Sequence, residues 1–381
     1  MGKRGHNEGS IYQRADGRWV AAITVANADG STRRAQRYAK TRKAAHEALR
    51  DLQRQIEDGV QALGKTPTLA AYLDQWLEGS AKPSVKVKTY EGYESIVRIR
   101  VVPRIGGLQL SQVTPPVIQK LYADLSASGL SQQSVIHTHR CLRRALKQAV
   151  NWGLIARNPC DSVDPPRARR EELRVWNRGE AAKFLTETRD HSLYPLFALA
   201  LTTGMRQGEL LGLKWSDVEL SENRLRVQRT LQRQRGTGLV FETPKTAKSR
   251  RTIMLSSVAV VALREHRQRQ LEQRLALGPA WADYDLVFPN EIGEPRHPSP
   301  VTRSFKSAVT AAGVPDIRFH DLRHTAATLL LTKGQHAKVV SEMLGHATIT
   351  ITLDTYSHYV SVLHEQAAQA MDDLFGDEVV A

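Results

Sequence analysis

Cysteine is nearly missing from this chain: Cys141 and Cys160 are the only two in 381 residues. That excludes a disulfide framework and any CxxC zinc or redox pair, and both thiols read as inert small hydrophobes. Long apolar runs are also lacking. No stretch of 18 or more apolar residues occurs, and the opening "MGKRGHNEGS" has no apolar segment of the signal-peptide kind, so a soluble cytoplasmic protein is expected. Acid is short relative to base. The 39 Asp and Glu stand against 54 Lys and Arg, a net charge of +15, and such a field attracts polyanions. Nucleic acid leads, an anionic membrane surface being the rival that the missing apolar runs disfavour.

The length predicts two or three domains, each with its own core. The first segment reads as three short strands, "SIYQR", "RWVAAITVA" and "STRRAQRYA", each "ADG" between them marking a turn. A helix follows from Thr41, with Ala45, Ala48, Leu49, Leu52, Ile56 and Val60 at helical spacing, to near Gly64. Six basic residues and no acid lie between Arg33 and Lys43, which reads either as a solvated face or as a sheet laid against a DNA groove. Arg33, Arg34, Arg37, Arg42 and Lys43 are the contacts expected from the second reading.

"GKTPT" is a linker, and Thr68 caps the first of four helices, "LAAYLDQWL", "KTYEGYESIVRIRVV", "PPVIQKLYADL" behind Thr114, and "QQSVIHTHRCLRRALKQAVNWG" behind Ser131. These predict a bundle, with Arg140, Arg143, Arg144 and Lys147 lining a DNA-facing side and His137 and His139 as surface or capping residues. After the linker "DPPRARREELR" one large domain mixes helices with a strand group, "RLRVQRTLQ", "LVFETPK" and "RRTIMLS". The expected domains are 1–64, 66–160 and 172–381.

His320 and His324 in "FHDLRHTAAT" are spaced as in a zinc protease, but Asp321 stands where that chemistry needs Glu, and Arg323 shares the face. An anion suits a guanidinium better than a divalent cation does. Arg206, in "TTGMRQGELLGL", sits between a helix-breaking glycine and a new helix start, where anions are favoured. His346 follows a glycine that can end a helix in "MLGHAT". Singly, each has a bland reading as a surface or capping residue.

Together these motifs resemble the phage-integrase family of tyrosine recombinases. "TTGMRQGELLGLKWSDV" is similar to the family's first-arginine motif, "HDLRHTAAT" to its His-x-x-Arg box, and "LGHATITITLDTYSH" to its Leu-Gly-His followed by the nucleophilic tyrosine. The likeness is strong over 175–360, moderate over 66–160 and weak over the three strands, which are similar to arm-site-binding domains. It implies a multidomain, mainly α fold with small β: an N-terminal sheet plus helix, a SAM-like core-binding bundle and a mixed α/β catalytic domain.

The resemblance also implies the chemistry. Arg206 and Arg323 would hold the nonbridging oxygens of the scissile phosphate, whose charge rises in the transition state. Tyr356 would attack to give a 3′-phosphotyrosine, with His320 as the candidate base, and His346 would donate a hydrogen bond to the phosphate. A hairpin lysine in "TPKTAKSRR", Lys245 with Lys248 as rival, would protonate the leaving oxygen. Glu209 would orient an arginine. The bond energy is conserved in the covalent intermediate, so no ATP, metal or other cofactor is expected.

The implied partners are duplex attachment sites, three further copies in a tetrameric synapse, and DNA-bending and excisionase proteins, with a place on the nucleoid. A type IB topoisomerase-like enzyme, a non-catalytic DNA-binding protein and a zinc peptidase are the alternatives, disfavoured in that order by the extra N-terminal module, the intact residue set and Arg323. Beyond Tyr356, Val360, Leu363, Ala367, Ala370, Met371 and Leu374 recur at helical spacing, which predicts an amphipathic tail helix that docks on its own domain or on a neighbour.

Overall fold

Strands β1 (Ser10–Gln13), β2 (Trp19–Ala26) and β3 (Thr32–Ala39) form an antiparallel meander in the order β1-β2-β3. The computed structural model describes residues 9–26, 32–57, 67–167, 174–243, 250–356 and 371. Helix α1 (Arg42–Glu57) is capped by the Thr41 hydroxyl, which accepts from the Ala44 N–H at 3.2 Å, and packs Leu49 and Leu52 on Ile23 and Ala35. The register pairs Ile23 with Ala35 and Thr24 with Arg34. Alternation therefore separates the basic residues expected to share one sheet face. Arg34 lies with Gln36 and Tyr38, its guanidinium 5.6 Å from the centre of the Tyr12 ring, whereas Arg37 falls in the alternation of Ala35, on the side carrying α1. Arg42 and Lys43 are exposed on α1, and the Arg33 side chain lies outside the described residues.

The bundle comprises α2 (Leu69–Trp76), α3 (Lys82–Ser84), α4 (Val87–Ser95), α5 (Val102–Ile105), α6 (Pro115–Ala127) and α7 (Gln132–Asn151). Between α2 and α3, and again between α4 and α5, the helix continues through π-type turns at Leu77–Ala81 and Ile96–Val101. Proline explains both. Pro83 and Pro103 cannot bond to the carbonyls four residues back, Gly79 and Ile99, and their rings crowd those carbonyls; a widened turn there relieves the clash without ending the helix. The first two bundle helices thus run further than their apolar repeat suggests. Thr68 and Ser131 cap α2 and α7 as expected, while Thr114 holds the cap position of α6 without a side-chain bond. Tyr72, Trp76, Tyr122 and Leu146 are fully buried in the core, with both cysteines, whose thiols burial pushes up to about 12.

Residues Met1–Arg170 form one compact unit and Glu171–Ala381 a second. The second contains α8 (Arg178–Glu187), α9 (Tyr194–Thr203), α10 (Gln207–Leu211), β4 (Val218–Glu219), β5 (Arg224–Val227), β6 (Thr230–Gln234), β7 (Gly238–Glu242), β8 (Arg251–Met254), α11 (Ser257–Leu277), α12 (Pro298–Ala312), α13 (Asp321–Thr332), α14 (Ala337–Leu344) and α15 (Ile349–Tyr356). The run "RLRVQRTLQ", expected as one strand, is two strands in separate sheets. β5 lies between β4 and β8, and β6, among the described residues, pairs only with β7. The break falls at Gln228–Arg229, where the Arg229 guanidinium is drawn to the buried Asp217 carboxylate.

Trp176, Phe184, Phe197, Phe305 and Phe319 form an aromatic core that ties α8, α9 and α12 to the entry of α13. Edge and tilted ring pairs of this kind add roughly 0.5–1.5 kcal/mol each beyond burial. The Trp176 N–H donates to Thr325 Oγ1 at 3.2 Å and its indole N–H to the Pro315 carbonyl at 2.8 Å, so the same core fixes where α13 begins. Among the described residues no helix is long and apolar enough to cross a membrane.

Candidate active site

Helix α9 is buried on every side and ends at Gly204, whose φ of +63° is the left-handed cap that glycine adopts without strain. A Cβ there would also sit 2.4 Å from Leu344 Cδ2, so space and backbone both demand glycine. The turn released by this cap places Arg206 before α10. Its N–H donates to Glu209 Oε2 at 3.0 Å and its Nη1 to Glu209 Oε1 at 2.8 Å. Its side chain is 41% exposed, whereas that of Glu209 is 4% exposed. Arg323, 3% exposed, donates from Nη1 to the Gly204 carbonyl at 2.8 Å. One turn therefore links the two arginines.

A third arginine completes the cluster and was not singled out in the sequence. Arg251, at the start of β8, donates from Nη2 to Glu209 Oε2 at 2.9 Å and from Nη1 to Oε1 at 3.3 Å, while its Nε bonds the Met343 carbonyl at 2.6 Å. The available signal was the inward phase it shares with Ile253 in "RRTIM", visible only once the strand is known. Burial alone would raise the Glu209 pKa; the bonds and charge of Arg251, then of Arg206, outweigh it and hold the carboxyl below its ordinary value.

Helix α14 ends in a Schellman turn: His346 N–H donates to the Ser341 carbonyl and Gly345 N–H to that of Glu342, each at 3.0 Å, with Gly345 at φ +68°. The turn delivers His346, whose Nδ1 lies 2.7 Å from the hydroxyl of the fully buried Thr352. Desolvation, then the charges of Arg323 and Arg206, bring His346 down to about 4. His320 is lowered by desolvation and then by Arg323, with Arg206 contributing. Each imidazole feels both arginines, so the fold gathers Arg206, His320, Arg323 and His346 around one centre of positive potential.

The zinc arrangement is not what "HDLRH" builds. Arg318 takes both Asp321 oxygens at 3.0 Å, turning that carboxylate into the helix start, and the His320 and His324 rings meet edge to face at 5.3 Å. His324 is lowered to about 4 by desolvation and then by His320. Tyr356 closes α15, ten residues beyond His346; its side chain lies outside the described residues, as do Tyr359, Lys245, Lys248 and the tail stripe except Met371. In the first unit Arg140, Arg143, Arg144 and Lys147 line a groove of about 850 Å³ on α7, together with His139 and Arg167. Arg143 is paired with Asp161 at 2.7 Å, and Arg144 donates to Tyr93 and Ser84 at 3.1 and 3.3 Å. His139 is half-buried against the Tyr122 hydroxyl at 2.9 Å, and His137 is exposed beside Gln133.

Residues 179–361 match the phage integrase family, and residues 68–126 match its N-terminal SAM-like domain. The chain is 32% identical over 365 residues to a tyrosine recombinase XerC-like protein of Caldanaerobacter subterraneus subsp. tengcongensis, covering 91% of this chain and 93% of the relative. It is 26% identical over 347 residues to the ICEBs1 integrase of Bacillus subtilis, covering 91% and 94%. In fold it is similar to the Tn1549 transposon integrase in complex with transposon right end DNA, with TM-score 0.68, 23% identity and coverage of 79% of this chain and 99% of that one. A lambda integrase tetramer bound to a Holliday junction gives TM-score 0.56 and 19% identity, covering 93% and 96%. The chain belongs to the phage integrase family of tyrosine recombinases. It is an enzyme that cleaves and rejoins DNA strands in site-specific recombination.

Proposed function

We propose that the enzyme is the integrase of a mobile element and that Arg206, His320, Arg323, His346 and Tyr356 carry its chemistry. The observation behind this reading is the pair of arginines fixed through one turn, with two neutral imidazoles in their field. A phosphodiester placed against them would meet preorganised positive charge where negative charge grows. The Tyr356 oxygen attacks phosphorus, its proton passes to His320, and the 5′ oxygen leaves with a proton from Lys245, or from Lys248, both in the segment between β7 and β8. The strand is then held as a 3′-phosphotyrosine until a new 5′ hydroxyl reverses the step. A Thr352 hydroxyl that donates to Nδ1 of His346, 2.7 Å away, would leave the ring proton on Nε2, free to be donated in a hydrogen bond to a phosphate oxygen.

The chain would work as three modules, 1–64 on distal arm sites, 66–160 and 172–381 on the crossover site. The α7 groove and the Tyr12, Arg34 and Tyr38 face are the surfaces offered to DNA backbone. Four protomers would form the synapse, with the tail after Tyr356 docking on a neighbour and bending or excisionase proteins setting direction on the nucleoid. A suicide substrate that loses its cleaved end tests the chemistry. Full-length protein should yield a denaturation-resistant adduct mapping to Tyr356, and Tyr356→Phe should bind equally and give none; an adduct on Tyr359 would overturn the assignment.

A further inference from the structure

Arg251 occupies the inward phase of a strand, opposite the buried Val227. An arginine there is costly unless its charge and donors are met. They are met by Glu209, 4% exposed against 6% for Arg251, and by the last turn of α14 through the Met343 carbonyl. Glu209 thus carries one negative charge between two guanidiniums. If Arg206 were its only partner the two would cancel, and an incoming phosphate would face a neutral pair. With Arg251 on the other side, the trio keeps one net positive charge, and the exposed member is Arg206.

We propose that Arg251 is a positioning residue that balances Glu209, leaving the charge of Arg206 for the scissile phosphate, and that it clasps the end of α14 so that His346 is presented beside it. This rests on Arg206 being a phosphate ligand. Gly345 fits the clasp, since a Cβ there would come within 3.0 Å of Arg251 Nη1. The partial negative charge at the end of α14 favours the same cation.

The test uses full-length protein on its own attachment-site DNA, with the scissile phosphate either natural or replaced by a neutral methylphosphonate. Single-turnover cleavage and gel-shift affinity are read separately. Arg251→Met should bind within a few-fold but cleave the natural phosphate on the order of 10- to 100-fold more slowly, as when a ligand loses its orienting partner. The loss should shrink on the methylphosphonate, and a second change, Glu209→Gln, should restore most of the rate on the natural substrate. Equal losses on both substrates with no gain from Glu209→Gln would overturn charge balance. The double variant removes both buried charges together and so keeps the test open if Arg251→Met does not fold. Double-variant protein that folds, binds and cleaves near the normal rate supports the proposal; one that folds and binds but does not cleave sinks it. Arg206→Ala cleaving the natural phosphate at full rate would instead remove Arg206 as a ligand, and the proposal with it.

Discussion

The α7 groove and the Arg206, Arg251 and Arg323 cluster are both rich in arginine, but they hold charge in opposite ways. In the groove Arg140 and Lys147 are exposed on a solvated helix, and Arg143 is paired at the surface with Asp161. In the cluster Arg323 is 3% exposed and Arg251 is buried against a buried carboxylate, so geometry is fixed before any ligand arrives. Exposed charges adapt to many phosphates and are screened by salt; buried ones are aimed at one. Affinity and catalysis are therefore expected to separate by region.

The largest effect should come from the cluster. Arg323→Lys keeps the charge but loses the planar fork, and cleavage should fall on the order of 100- to 1,000-fold, as for loss of one transition-state donor. Affinity should change little; an equal drop in both would erase the contrast between regions. The groove should behave in reverse. Replacing Arg140 and Lys147 with Ala should weaken binding uniformly across sequences and flatten the plot of log affinity against log salt by about 0.9 for each phosphate no longer neutralised. Arg143→Ala should do less, since Asp161 already takes part of its charge, and titrations at several salt concentrations would rank the three.

The smallest effect sharpens the same contrast through pH. Arginine charge in the groove is constant, whereas His346 sits at about 4 in the folded protein against about 6.5 in an unfolded chain. Between those values the unfolded state binds more protons. The stability tied to neutral His346 is thus complete above about pH 6.5 and is lost as pH falls through about 4. The melting temperature should decline over that window, and His346→Gln should flatten the decline. A profile unchanged by that substitution would show that the ring is not held neutral by its surroundings.

Much of this was legible in the chain because it is local. Leu344-Gly345-His346 announces a helix ending in a left-handed glycine, and Gly204 before Arg206 announces another. The four bundle helices follow from apolar spacing and the caps at Thr68 and Ser131. Other features were illegible because they depend on residues far apart in sequence. Pro83 and Pro103 suggest broken helices, yet π-type turns carry both helices through, supported by tertiary packing. "RLRVQRTLQ" reads as one strand until Asp217 and separate pairing partners divide it. The basic run from Arg33 reads as one surface until register puts Arg34 and Arg37 on different sides.

The sequence alone determined which residue types were present and how they were spaced: two arginines, two histidines and a tyrosine in the order that matches the phage-integrase motifs, with Arg206 and His346 each just after a glycine that can end a helix. Tertiary structure decided what each charge faces. Glu209 and Arg251 are 42 residues apart and meet only because the fold brings the Arg251 side chain, at the start of β8, within hydrogen-bond reach of α10, and the Met343 carbonyl meets Arg251 from yet another helix. A spacing rule sees neighbours along one helix or strand, but the charge and burial of a site are sums over everything packed around it, and those sums exist only once the chain has folded.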